Sequence, residues 1–84
     1  MSIDPIKDAA FMLYPNPAMD HVTIQFNIAF ADGSPVFVYN SLGELIFNQR
    51  LNDGADKITI GLIGLSSGVY YVRIGDVVRK FIKQ

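Results

Sequence analysis

An all-β domain of about seven short strands, arranged as a sandwich or barrel, is what this sequence predicts. Three observations predict it. Apolar residues recur with a period of two through most of the chain. Turn-forming residues interrupt these runs at roughly 8–12-residue intervals. No stretch long enough for a helix places apolar residues at helical spacing. The chain has 84 residues, half of them hydrophobic (50%), which is one domain at most. A chain this short buries only roughly 60–65% of its unfolded surface. Nearly all its apolar residues are therefore needed for a core.

The chain opens with a segment that does not look folded. Residues 1–10 are expected to be a linker or an expression-derived remnant, followed by one domain over residues 11–84. The start, Met1-Ser2-Ile3-Asp4-Pro5, has no basic region followed by an apolar one, so it is no secretory leader. A longer parent carrying its own leader is expected. No apolar run approaches the roughly 20 residues that span a bilayer as a helix.

Phe11-Met12-Leu13 reads as a short first edge strand ending before Pro15. His21 to Ile28 alternates cleanly, with Val22, Ile24, Phe26 and Ile28 on one face and His21, Thr23, Gln25 and Asn27 on the other. Pro35-Val36-Phe37-Val38-Tyr39 and Glu44-Leu45-Ile46-Phe47-Asn48 are β-branched and aromatic, so partial cover on both faces is expected. Lys57 to Leu62 alternates with Ile58, Ile60 and Leu62 inward. Gly68 to Ile74 and Val77 to Lys83 form the last pair.

The turns carry their own chemistry. Gly75-Asp76 between two strand patterns is a two-residue hairpin. Asn40-Ser41-Leu42-Gly43-Glu44 predicts a type I turn with Gly43 left-handed and a bulge behind it. Asp32-Gly33 and Asp53-Gly54 mark further reversals.

Raw material for catalysis is scarce. The chain has no cysteine and one histidine, His21, on the polar face of its strand. No disulfide framework, thiolate metal site or multi-histidine zinc site can be assembled from that. A nucleophile–histidine–acid site would need every partner around His21. Asp53 with Asp56, and Asp20, are the candidate carboxylates for acid–base work or calcium, but the first two flank a turn where Asp is favoured for its own backbone bonding. No metal site, cofactor or catalytic residue is assigned, and the domain is expected not to be an enzyme. Gly61, Gly64 and Gly68 precede no helix, so no phosphate loop is present. Net charge is −1, which argues against a nucleic-acid partner. Cations nevertheless gather late: residues 57–84 hold Lys57, Arg73, Arg79, Lys80 and Lys83 against Asp76 alone. On edge strands such lysines discourage strand-to-strand aggregation.

Three blocks remain, in a fixed order. Pro15-Asn16-Pro17 makes a rigid lead-in to the first clean strand. Asn40-Ser41-Leu42-Gly43 is the tight hairpin. Leu65-Ser66-Ser67-Gly68-Val69-Tyr70 leads into the last strand pair, which ends on Lys80-Phe81-Ile82-Lys83-Gln84. Each block has a purely structural explanation: an edge-covering lead-in, a good hairpin, a core plug at Leu65 with a reversal at Gly68. Together, in this order, they resemble the C-terminal sorting domain of the type IX secretion system of Bacteroidetes-type bacteria, over nearly the whole chain from Leu13.

The resemblance implies a seven-stranded antiparallel immunoglobulin-like β-sandwich. It implies a non-catalytic signal fused behind an N-terminal cargo that crosses the periplasm and reaches the outer-membrane surface or the medium. Outer-membrane translocon and shuttle components would read the domain. A sortase-like cysteine peptidase would remove it by cleavage in or before the linker of residues 1–10, and the cargo would often be joined to an anionic lipopolysaccharide. By the same resemblance, Pro15, Asn16 and Pro17 match the family's lead-in motif and Gly43 its hairpin glycine. Leu65, Gly68, Val69 and Tyr70 match its internal block. Lys80, Phe81, Ile82, Lys83 and Gln84 match the terminal strand, the part expected to be read. One departure is the short Ile74–Val77 hairpin, which leaves both Phe81 and Ile82 as candidates for the inward position.

The rival reading is a generic fibronectin-like or immunoglobulin-like accessory module binding carbohydrate or protein, with Tyr14, Tyr39, Tyr70 and Tyr71 as an aromatic platform. Exposed edge strands would also give such a sandwich a route to dimers.

Overall fold

A computed structural model describes residues 10–27, 33–51 and 56–84. Seven strands follow in chain order: β1 Phe11–Tyr14, β2 His21–Phe26, β3 Pro35–Asn40, β4 Leu45–Arg50, β5 Lys57–Gly61, β6 Gly68–Ile74 and β7 Val77–Lys83. They pair antiparallel into a three-stranded sheet, β1-β2-β5, and a four-stranded sheet, β4-β3-β6-β7. Among the described residues there is no helix.

The period of two explains why two sheets form. Each strand has one apolar face, and a sheet must bury that face against another layer. Val22, Ile24 and Ile60 come from the three-stranded sheet; Val36, Val38, Val72, Ile74 and Phe81 come from the four-stranded one. All belong to a single core cluster. Leu62, just past β5, and Leu51, just past β4, close it from the connections. Ala10, the last residue of the expected linker, is fully buried, and its carbonyl accepts the Asn27 amide at 2.8 Å.

Strand positions follow the sequence pattern to within a residue or two. One side chain departs from it. Thr23 lies on the polar face of β2 yet is only 8% exposed. β2 is the central strand of its sheet, so Thr23 is flanked by Tyr14 and Thr59 in register, and its hydroxyl meets that of Thr59 at 3.1 Å. Cross-strand neighbours shield a short side chain that alternation alone leaves outside. β4 is an edge strand in which the adjacent Ile46 and Phe47 are both half-buried and the remaining residues are exposed.

The hairpins form as their residues require. In the β3–β4 turn the Asn40 side chain accepts the amides of Leu42 and Glu44 at 2.9 and 3.0 Å, and Gly43 has φ +83°. The register then skips Ile46, because Val38 faces Phe47 while Tyr39 faces Leu45. That extra residue is the expected bulge. In the β6–β7 turn Gly75 has φ +61° and Asp76 has negative φ, the requirement of a type II′ turn. Ile28, Asp32 and the Asp53-Gly54 reversal lie outside the described residues.

Candidate functional site

The motif residues, scattered from position 15 to position 84, gather at one end of the fold. Asn40, at the β3–β4 turn, pairs in register with Tyr70, and Tyr70 pairs with Phe81. Gly68, the first residue of β6, pairs with Lys83 near the chain terminus. The lead-in between β1 and β2 reaches the same place, where Ala18 forms a parallel bridge with Lys83.

β7 is an edge strand, so the outward-directed N–H and C=O groups of Lys80 and Ile82 need partners from elsewhere. The lead-in supplies them. The Ile82 amide donates to Asn16 Oδ1 at 3.0 Å, and Asn16 Nδ2 donates to the Lys80 carbonyl at 3.5 Å. The Ala18 amide then donates to the Ile82 carbonyl at 2.7 Å, and the Gln84 amide donates to the Ala18 carbonyl at 2.8 Å. Residues 16–18 thus act as a short strap along the terminal strand. Pro15 and Pro17, both exposed and both in cis peptide bonds, flank the asparagine. Proline has no amide hydrogen to leave unpaired in such a strap.

Behind the strap, Phe81 is the inward residue and Ile82 the outward one. Phe81 is fully buried, while Ile82 is 43% exposed. The Phe81 ring stacks on Tyr70 with centroids 5.5 Å apart. Tyr70 itself is 6% exposed, and its hydroxyl donates to the Ser66 carbonyl at 2.6 Å. Tyr70 is therefore a core residue tied to the β5–β6 connection, and it leaves the expected aromatic platform. Tyr14 leaves it too, because it stands on the other sheet with its hydroxyl donating to Gln25. Only Tyr39 and Tyr71 remain neighbours, paired in register on β3 and β6.

The other motif residues are in supporting positions. Leu65 is half-buried against the core, its amide donating to the Leu62 carbonyl at 3.0 Å. Val69 is half-buried opposite Ile82. Gly68 has φ +153°, and a β-carbon built there would meet nothing within 4 Å, so backbone conformation alone asks for glycine. Lys80 and Gln84 are exposed and Lys83 is half-buried.

Sequence reasoning passed over Ala18. It is fully buried beneath the terminal residues, and its small size beside two prolines was the available clue. Just beyond the strap, His21 Nδ1 and Asp20 Oδ1 lie 2.7 Å apart on the surface. The hydrogen bond with His21 is the main influence lowering the Asp20 pKa. Among the described residues no three His, Asp or Glu side chains stand close enough together to hold a metal ion.

Residues 12–84 match the family described as the secretion system C-terminal sorting domain. The chain is also 30% identical over 74 residues to an ulvan lyase, NLR42, of Nonlabens ulvanivorans; the match covers 88% of this chain and 13% of that protein. The chain thus spans only a small part of the relative's length. No solved structure matches the chain.

Proposed function

The chain belongs to the family of secretion system C-terminal sorting domains, and on that premise we propose that it is read at the end where its motifs converge. The family's domains are non-catalytic signals of type IX secretion that direct export to the cell surface or the extracellular space. The observation that carries the finer reading is the strap: Asn16 and Ala18 bind the backbone of the terminal strand and fix where Lys80, Ile82, Lys83 and Gln84 stand. A signal read by side chains needs them held in one arrangement, and this end of the fold holds them.

In this reading a cargo with its own leader precedes the domain and crosses the periplasm. Outer-membrane translocon and shuttle components recognise the domain, and a sortase-like cysteine peptidase cuts in or before the linker of residues 1–10. The domain is the substrate in that step. An immunoglobulin-like sandwich is the reading of the fold that strand order supports, since the first, second and fifth strands oppose the other four. The Tyr70 hydroxyl bonded to the backbone four residues upstream supports it as well, being the pattern of a tyrosine corner.

The test is an export assay in a bacterium with a working type IX system. A fluorescent protein with a Sec leader is fused ahead of residues 11–84, with and without residues 80–84. Export of the complete fusion and periplasmic retention of the truncated one, with the truncated domain shown to be folded, support the reading. Retention of both, with the domain folded, overturns it.

A further inference from the structure

Strands β4, β3, β6 and β7 carry neither Asp nor Glu, and three of their cations, Arg50, Arg73 and Lys80, fall on the outward face, while Arg79 and Lys83 alternate onto the side of the buried Val77 and Phe81. The inward face of this sheet is the core. Its outward face carries two cross-strand rows: Phe37, Arg73 and Val78, then Tyr39, Tyr71 and Lys80. Several of these side chains are open to solvent. Tyr71 is 37% exposed and Val78 55%, with Ile82 at 43% beside them. No charge of opposite sign stands on the four strands to balance Arg73 and Lys80.

Arg73 is held in place by aromatic rings. Its guanidinium carbon lies 5.1 Å from the Phe37 ring centroid and 6.0 Å from that of Tyr39. Stacking uses the flat face of the guanidinium and leaves in-plane N–H donors suited to a carboxylate. Tyrosine and arginine are among the residue types enriched at protein interfaces and among their energetic anchors.

We propose that this outer face docks an acidic and apolar surface of a protein partner, with a partner carboxylate at Arg73 and Lys80 and apolar side chains over Tyr71, Val78 and Ile82. The proposal rests on the export reading and deepens it by naming the recognition face. Charge complementarity selects the occupant. A second copy of this sheet would bring cation against cation. A glycan would use the two tyrosines but gain little from Val78 and Ile82, which have neither a ring to stack on nor a polar group.

The experiment uses the same exported fusion. Arg73→Glu and Val78→Glu are compared with the unaltered domain and with Met12→Glu, an exposed position on the opposite sheet. Thermal melting of each purified domain establishes that it folds. The two outer-face variants are expected to fold and to lower the exported fraction about tenfold, the scale of losing an interface anchor. Met12→Glu is expected to export normally. Should folded outer-face variants export like the unaltered domain while removal of residues 80–84 still blocks export, the docking face is wrong and the address label stands. Should the unaltered fusion itself fail to leave the periplasm, both readings fall. Dextran sulfate serves as the anionic-glycan probe: an Arg73-dependent rise in melting temperature, with export unaffected by either variant, would assign the face to a glycan and overturn the proposal.

Discussion

Asn16 Oδ1 accepts the backbone amide of Ile82 at 3.0 Å, across 66 residues of sequence. With its Nδ2 directed to the Lys80 carbonyl, this one side chain does for the terminal strand what a neighbouring strand would otherwise do. An edge that would invite another chain is covered along residues 80–84 by the lead-in. The opposite edge, β4, has no such strap among the described residues, and it places Asn48, Gln49 and Arg50 there instead.

Asn16→Ala removes both contacts of the side chain. A cost of about 1 kcal/mol is expected, the net value of exposed hydrogen bonds. That corresponds to a melting-temperature fall of roughly 4–8 °C for a domain of this size. The more specific consequence is local: amide exchange at Ile82 should quicken more than at Val38 or Val72 in the sheet centre. Equal protection at Ile82 in both proteins would mean that the strap does not hold the strand.

Tyr70 and Phe81 should separate hydrogen bonding from packing. Tyr70→Phe keeps the stacked ring and loses the bond to Ser66, at an expected cost of about 1 kcal/mol. Phe81→Ala empties a fully buried site and should cost about 3–5 kcal/mol. Chemical denaturation measures both. Against a total of about 5–15 kcal/mol for natural domains, Phe81→Ala should remove a large share of the stability and lower the exported fraction through partial unfolding.

Gly68 tests whether its backbone or its surroundings require glycine. At φ +153°, with open space where a β-carbon would stand, Gly68→Ala should cost about 1–3 kcal/mol, and Gly68→Val at least as much. Unchanged stability in the alanine variant would show that the strand start has no need of glycine.

Asp20 gives the pH prediction. The hydrogen bond with His21 does most to hold its carboxyl below the ordinary aspartate range, aided by its own backbone amide and the histidine charge. Because the folded pKa is depressed, the stabilisation is present above the unfolded pKa and is lost as pH falls through the folded one. Side-chain NMR should place the Asp20 midpoint below that of a free aspartate, and His21→Ala should move it upward. A midpoint indifferent to that substitution would remove His21 as the cause.

Much of the fold was legible because its determinants are local. The alternation of β2, the Gly75-Asp76 turn and the bulge behind Gly43 each depend on a few adjacent residues, and the structure places them as the sequence predicts. Thr23 was misread because its burial comes from Tyr14 and Thr59, neighbours that only pairing supplies. Tyr70 and Tyr71 are adjacent and chemically alike, so composition joined them in one platform; alternation sends one into the core and one outward. The motif blocks were visible as separate pieces. Their convergence was not, since a bond from Asn16 to Ile82 leaves no periodic trace in a sequence.

The most direct test of the central claim changes what the terminal strand displays while keeping the fold. In the exported fusion, Lys80, Ile82 and Lys83 are replaced together by threonine, a strand-compatible residue; Phe81 and the Asn16 strap remain. Export is measured as the fraction of fluorescence reaching the surface and medium. The expected result is a folded domain retained in the periplasm. Export equal to that of the unaltered fusion, with the fold intact, would contradict the claim that this end of the domain is what the secretion system reads.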